Sequence, residues 1–80
     1  MDVRQWINEV ANYIDQSQWV FYRYCNCGGT PKYKYKWAAK GYELHVMPNR
    51  NYFRVFMNNG KPGVSGYIDS MKEKLETLNV

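Results

Sequence analysis

The chain has few cysteines and no long hydrophobic run, and each shortage excludes a class of protein. Only two of its 80 residues are cysteine, too few for the disulfide framework of a small secreted domain, and this usage favours a reducing compartment. No apolar run approaches the roughly 20 residues that cross a bilayer, and the N-terminus lacks the features of a signal peptide. We therefore expect a single cytoplasmic domain over residues 1–80, with no membrane partner.

Acidic residues are almost absent from the middle of the chain. Between positions 18 and 64, Glu43 stands alone against eight lysines and arginines, so this segment carries a charge of +7 although the whole chain carries only +4. A concentrated positive charge indicates an anionic partner.

The segment from Lys32 to Trp37 alternates lysines with aromatic residues. A period of two is typical of a half-buried β-strand, in which alternate side chains point to opposite faces. The pattern predicts a strand with three lysines on its solvent face and three rings on its buried face.

Two terminal segments have helical periodicity. Residues 3–15 place apolar side chains along one stripe, with Asp2 as the N-cap and Gln5 completing a capping box. Residues 66–78 form a second stripe, for which Ser65 is the expected N-cap.

The remaining strands lie between the helices. Residues 18–25 are rich in aromatic and β-branched types, and a turn-rich link over 26–31 connects them to the Lys/Tyr strand. Residues 42–47 and 52–57 predict a hairpin around a four-residue loop. Residues 58–63 form a turn cluster.

The hairpin register follows from its hydrophobic pattern. Pairing Met47 with Tyr52 makes one face apolar and sets His45 opposite Arg54, whereas a slip of one residue would invert every side chain.

The order αββββα predicts an α+β fold: a four-stranded antiparallel meander with the N- and C-terminal helices packed on one face, as a two-layer sandwich. Helices on opposite faces would bury the lysines without enough partners. The expected core comprises Trp6, Ile7, Val10, Ile14, Leu44, Val46, Phe53, Val55, Ile68, Met71 and Leu75.

The uncovered sheet face is predicted to carry cations among aromatic rings. The first strand adds either Trp19, Phe21 and Arg23 or Val20, Tyr22 and Tyr24, because both sets are aromatic-rich. The predicted nucleic-acid-binding residues are Lys32, Lys34, Lys36, Arg54, His45, Tyr52, Phe56 and Arg23.

This combination suits single-stranded nucleic acid or a nucleotide, since rings stack on bases and cations neutralise phosphates. The function expected is a small non-enzymatic binding module. The alternatives are a phage- or plasmid-type protein-interaction module, such as an inhibitor docking on a nucleic-acid enzyme or defence protein, and an ordinary solvated sheet face. An edge strand could also pair with its copy to form a homodimer.

No metal, cofactor or catalytic residue is predicted. Cys25 and Cys27 are one residue apart, whereas structural zinc pairs are separated by two to four and need two more ligands. They are expected to be small, semi-buried turn residues. His45, Glu43 and Tyr52 share a face, but a lone histidine among polar strand residues is usually solvated or stacked.

Overall fold

A computed structural model describes residues 3–79, with side chains described for all of them except positions 3, 27 and 79. Over this range the chain forms an antiparallel sheet with two helices, which confirms the α+β class. The strands are β1 (Val20–Cys27), β2 (Thr30–Trp37), β3 (Tyr42–Met47), β4 (Tyr52–Phe56) and β5 (Pro62–Tyr67), and the helices are α1 (Val3–Val10) and α2 (Met71–Glu76). The strands lie side by side in chain order.

The β3–β4 hairpin has the predicted register. Met47 pairs with Tyr52 and His45 pairs with Arg54. The loop between them is a 3-10 turn over Pro48–Arg50, closed by Asn51 in the left-handed conformation. His45 and Arg54 are therefore neighbours on one face, as the apolar pattern of the opposite face requires.

The prediction of four strands is wrong, because β5 is a fifth. Its sequence contains a proline and two glycines, which are unfavourable in strands, and the proline is its first residue. Pairing with β4 holds the strand in place: Tyr67 lies opposite Tyr52 and Ser65 opposite Arg54. The Lys74 ammonium donates a hydrogen bond to the Ser65 carbonyl oxygen at 2.9 Å, so a helix side chain satisfies one backbone group of this edge strand.

The β1–β2 connection is tighter than predicted, and β1 contains a bulge. Only Gly28 and Gly29 separate the two strands, both at positive φ, as a two-residue hairpin turn requires. The pairing shifts between Phe21 and Arg23, which leaves Tyr22 as the extra residue of a bulge.

Both helices are shorter than predicted. The first ends at Val10, because the N–H groups of Asn12 and Tyr13 donate to carbonyls three residues back and no longer four. The Asp15 carboxylate then accepts hydrogen bonds from the Ser17 backbone N–H and hydroxyl in the turn before β1. The second begins at Met71, after a 3-10 turn over Ile68–Ser70, because the preceding residues belong to β5. Ser65 is therefore not an N-cap, and Asp2 lies outside the described residues.

One hydrophobic cluster contains buried residues from both helices and from the apolar side of the sheet. The predicted residues Trp6, Ile7 and Ile14 are only partly buried and pack against it, whereas the other eight are buried. Four aromatic residues absent from the predicted core list are buried as well. The buried cluster comprises Val10, Trp19, Tyr33, Tyr35, Trp37, Leu44, Val46, Phe53, Val55, Ile68, Met71 and Leu75.

The Tyr35 hydroxyl is an unfavourable element of this core. It is buried without a hydrogen-bond partner among the described residues, and burial raises the pKa of Tyr35 to about 12. Replacing Tyr35 with phenylalanine removes this unsatisfied group, so we expect the free energy of unfolding to rise by about 1 kcal/mol. Urea denaturation measures the change.

Tyr22→Phe is the matched control for Tyr35→Phe, because the Tyr22 hydroxyl donates to Glu43 Oε1 at 3.0 Å. We expect this second variant to be no more stable than the wild-type protein. A loss of stability in Tyr35→Phe would contradict the assignment of an unsatisfied hydroxyl.

Within residues 3–79, neither helix has the length and apolar character needed to cross a membrane.

Candidate functional site

The sheet face opposite the core, here called the open face, carries the predicted cations and rings. Alternation along β2, β3 and β4 places every second side chain outward, and the strand register brings these side chains into rows. Lys34 lies opposite His45, which lies opposite Arg54. The row crosses three strands and carries two permanent cations.

A depression of about 290 Å³ lies on the open face at the β3–β4 loop end of the sheet, and we call it the cationic depression. It brings together five of the eight predicted site residues. Its lining is Thr30, Lys32, His45, Met47, Arg50, Tyr52, Arg54 and Phe56. Three side chains with permanent positive charge therefore border the same concavity as three aromatic rings.

Arg54 lies between two aromatic rings of its own strand. Its guanidinium carbon is 5.9 Å from the ring centroid of Tyr52 and 5.9 Å from that of Phe56, within the range of a cation–π contact. On the adjacent strand, the His45 ring lies 4.9 Å from the Phe56 ring, with the two planes tilted by 57°. These contacts bring the charge and the rings together at the depression.

Glu43 is the centre of a polar cluster beside the rings. Its Oε1 accepts a hydrogen bond from the Tyr22 hydroxyl at 3.0 Å, and its Oε2 lies 3.2 Å from His45 Nε2. Lys36 Nζ lies 4.0 Å from Oε1 and 4.5 Å from the centroid of the Tyr22 ring. The one acidic residue of the central segment therefore orients three neighbours.

These contacts set the charge states of the cluster. Burial alone would raise the pKa of Glu43, but hydrogen bonds from Tyr22 and His45, with the charge of Lys36, lower it overall. Burial lowers the pKa of His45 against the opposing effect of Glu43, and the charges of Lys34 and Lys32 lower it further. At neutral pH Glu43 is ionised and His45 is neutral. Because an ionised carboxylate can only accept, His45 Nε2 carries the proton of this hydrogen bond.

Tyr52 is also polarised by its neighbours. Hydrogen bonds with the Ser65 and Arg54 side chains lower the pKa of its hydroxyl. The Tyr52 hydroxyl thereby links β4 to the edge strand β5 at the border of the depression.

The other three predicted residues lie on the same sheet but outside this depression. Lys36 is engaged with Glu43 and Tyr22. Arg23 lies opposite Lys34 in the β1–β2 pairing, which extends the positive surface toward the edge of the sheet. Because of the bulge, neither predicted set of β1 side chains lies as a whole on the open face. Phe21 contacts the core-face ring of Tyr35, whereas Tyr22 contacts Glu43 on the open face.

Arg50 was missing from the predicted site. It lies in the 3-10 turn between β3 and β4, and it lines the depression from above the strand ends. The sequence feature that could have identified Arg50 is its position in the loop between β3 and β4, the two strands that supply most of the site.

The cysteines and the acidic side chains supply no metal centre within the described part of the chain. No group of three or more potential ligands from His, Cys, Asp and Glu lies close together there. Cys25 is half-buried, as expected, and is disulfide-bonded, whereas the cysteine usage had favoured a reducing compartment. The Cys27 side chain lies outside the described residues.

Comparison of the chain with protein families, curated proteins and solved structures gives no match.

Proposed function

We propose that this protein is a non-enzymatic module that binds single-stranded nucleic acid or a nucleotide on the open face of its sheet. The observation that carries the proposal is the cationic depression, where Lys32, Arg50 and Arg54 border the rings of Tyr52 and Phe56. Phosphates are attracted by any of these cations, and unpaired bases stack on exposed rings. A duplex offers no free base faces, so single strands fit the depression better.

The remaining cations extend this surface across neighbouring strands. Lys34 and Arg23 are paired across β2 and β1, and Lys34 also lies opposite His45 on β3. A row of positive charge that crosses strands can follow the backbone of a single strand beyond one nucleotide.

We assign His45 and Glu43 to recognition and not to catalysis. Each oxygen of Glu43 takes part in one hydrogen bond within the face, and burial keeps His45 uncharged. These contacts fix the Phe56-facing ring of His45 in one orientation, as a rigid binding surface requires.

The test is a fluorescence anisotropy titration of a labelled single-stranded 12-mer at several salt concentrations. The wild-type protein should bind more weakly as salt rises, because phosphate contacts release counterions. Replacing both Lys32 and Arg50 with alanine should reduce the slope of log K against log salt by about one to two units, since each single-strand phosphate contact contributes about 0.7.

The matched control removes two cations from the helices, through Arg4→Ala and Lys72→Ala, at exposed positions. We expect this variant to keep the wild-type slope. No binding of the wild-type protein to single strands, duplexes or nucleotides at low salt would contradict the proposed function.

A protein-docking role is the second candidate, and exposed apolar side chains at the β1 edge favour it. Val20 is 59% exposed, and Tyr22 and Tyr24 are 40% and 39% exposed. Aromatic residues are enriched at protein interfaces, and an unpaired edge strand can add a strand from a partner or from a second copy. Such a partner, including a phage- or plasmid-type target enzyme, should bind with little dependence on salt.

A further inference from the structure

A second depression adjoins the cationic one on the open face. It has a volume of about 410 Å³ and shares His45 and Phe56 with its neighbour. Its polar side chains differ in character, since Glu43 and Asn58 line it where the first has lysine and arginine. The two depressions therefore form one surface that is cationic at one end and carries an anionic acceptor at the other.

The Glu43 carboxylate has acceptor capacity left for a ligand. Each of its oxygens takes part in one hydrogen bond, with Tyr22 or with His45, whereas an ionised carboxylate has about four lone-pair sites in all. Its side chain is 36% exposed. Tyr22 and His45 hold the carboxylate in place, so a ligand would not have to order a free side chain.

The acceptor character of Glu43 selects among the bases. On its Watson–Crick edge guanine presents two adjacent donors, N1–H and the N2 amino group, which match the two oxygens of a carboxylate. Adenine and cytosine place a ring acceptor beside their amino group, and uracil flanks its single N–H with two carbonyls, so each would set a lone pair against the carboxylate.

The geometry points to a base subsite in the second depression that prefers guanine, with the purine stacked on the Phe56 ring, its rim against the tilted His45 ring, and its Watson–Crick edge toward Glu43. The inference rests on the proposed function and specifies its ligand. The attached phosphate would lie toward Lys32, Arg50 and Arg54, at the cationic end. The Asn58 amide, at the rim, can donate to the guanine O6 acceptor.

The test compares four labelled uracil-rich hexanucleotides that differ only at one central position, which is G, A, C or U. Their charge and length are equal, so phosphate contacts cancel from the comparison. We expect the guanine oligonucleotide to bind about tenfold more tightly than the other three, at the lower end of bidentate base recognition. Competition by free GMP against AMP tells whether the base subsite needs a strand or accepts a mononucleotide.

Glu43→Gln tests the role of the carboxylate. Removing a negative charge should slightly strengthen binding of the A, C and U oligonucleotides, whereas the guanine oligonucleotide loses its paired contact with the carboxylate, so the ratio of guanine to the other bases should fall to about one. Glu73→Gln, at an exposed position of α2, removes the same charge from the opposite layer and should keep the ratio.

Equal binding of the four oligonucleotides to the wild-type protein would overturn the guanine subsite while leaving the proposed function intact. Absence of binding to all four would overturn both. A guanine preference that persists in Glu43→Gln would show that another group reads the base, and would also overturn the assignment.

Discussion

Replacing Leu44 with alanine is expected to lower the free energy of unfolding by about 2–5 kcal/mol. Leu44 is in the middle of β3, has no exposed surface, and lies between Tyr35 on β2 and Val55 on β4. Its loss leaves a cavity in the centre of the sheet, where strands on both sides limit relaxation. The change is a large fraction of the total stability of a small domain. Urea denaturation followed by tryptophan fluorescence measures it.

The fluorescence signal for this urea denaturation comes from tryptophans in the core. Trp19 and Trp37 are buried, with ring centroids 5.4 Å apart in an edge-to-face arrangement, so unfolding exposes both rings to water. The control is Val20→Ala on the β1 edge, at a site that is 59% exposed. We expect this variant to remain within about 0.5 kcal/mol of the wild-type protein. A loss below 0.5 kcal/mol in Leu44→Ala would show that Leu44 does not support the core.

The sequence was sufficient to predict the β3–β4 hairpin because its two faces differ in polarity. Leu44 and Val46 alternate with Glu43 and His45, so only one register buries the apolar set. The same alternation places His45, Tyr52, Arg54 and Phe56 on one face of the hairpin. Most of the cationic depression follows from this one register.

The fifth strand could not be predicted from local preference. Pro62, Gly63 and Gly66 oppose strand formation, and the segment reads as a turn followed by a helix. Its stability comes from tertiary contacts: β4 provides a pairing edge, and the Lys74 ammonium donates a hydrogen bond to the Ser65 carbonyl oxygen from the space that a side chain at position 66 would need. Such contacts have no signature in the segment itself.

The sequence did not decide which side chains of β1 point toward the core, for a related reason. Trp19, Phe21, Tyr22 and Tyr24 make both faces aromatic, so hydrophobic alternation carries no preference. The bulge at Tyr22 then reverses the alternation along the strand, burying Phe21 against Tyr35 while directing Tyr22 to Glu43. A bulge is determined by packing on both sides of a sheet, which a pattern of residue types does not specify.

Replacing Phe56 with alanine is expected to weaken binding of a single-stranded 12-mer by about 1–3 kcal/mol, the value of one base–aromatic stack. Phe56 is shared by both depressions and contacts the His45 ring and the Arg54 guanidinium. Its removal eliminates the central ring of the surface without changing the charge. The slope of log K against log salt should therefore stay at the wild-type value, because no phosphate contact is lost.

Two further substitutions at the same position separate stacking from simple apolar burial. Phe56→Tyr keeps the aromatic face and should retain most of the affinity, whereas Phe56→Leu keeps apolar bulk without a ring and should bind nearly as weakly as the alanine variant. Circular dichroism and a urea titration of each variant establish that it is folded under the binding conditions.

Wild-type affinity in Phe56→Ala would contradict stacking at this ring. A slope that falls by a full unit would instead indicate that the substitution has displaced Arg54, whose guanidinium rests between Phe56 and Tyr52, and that charge rather than stacking is lost.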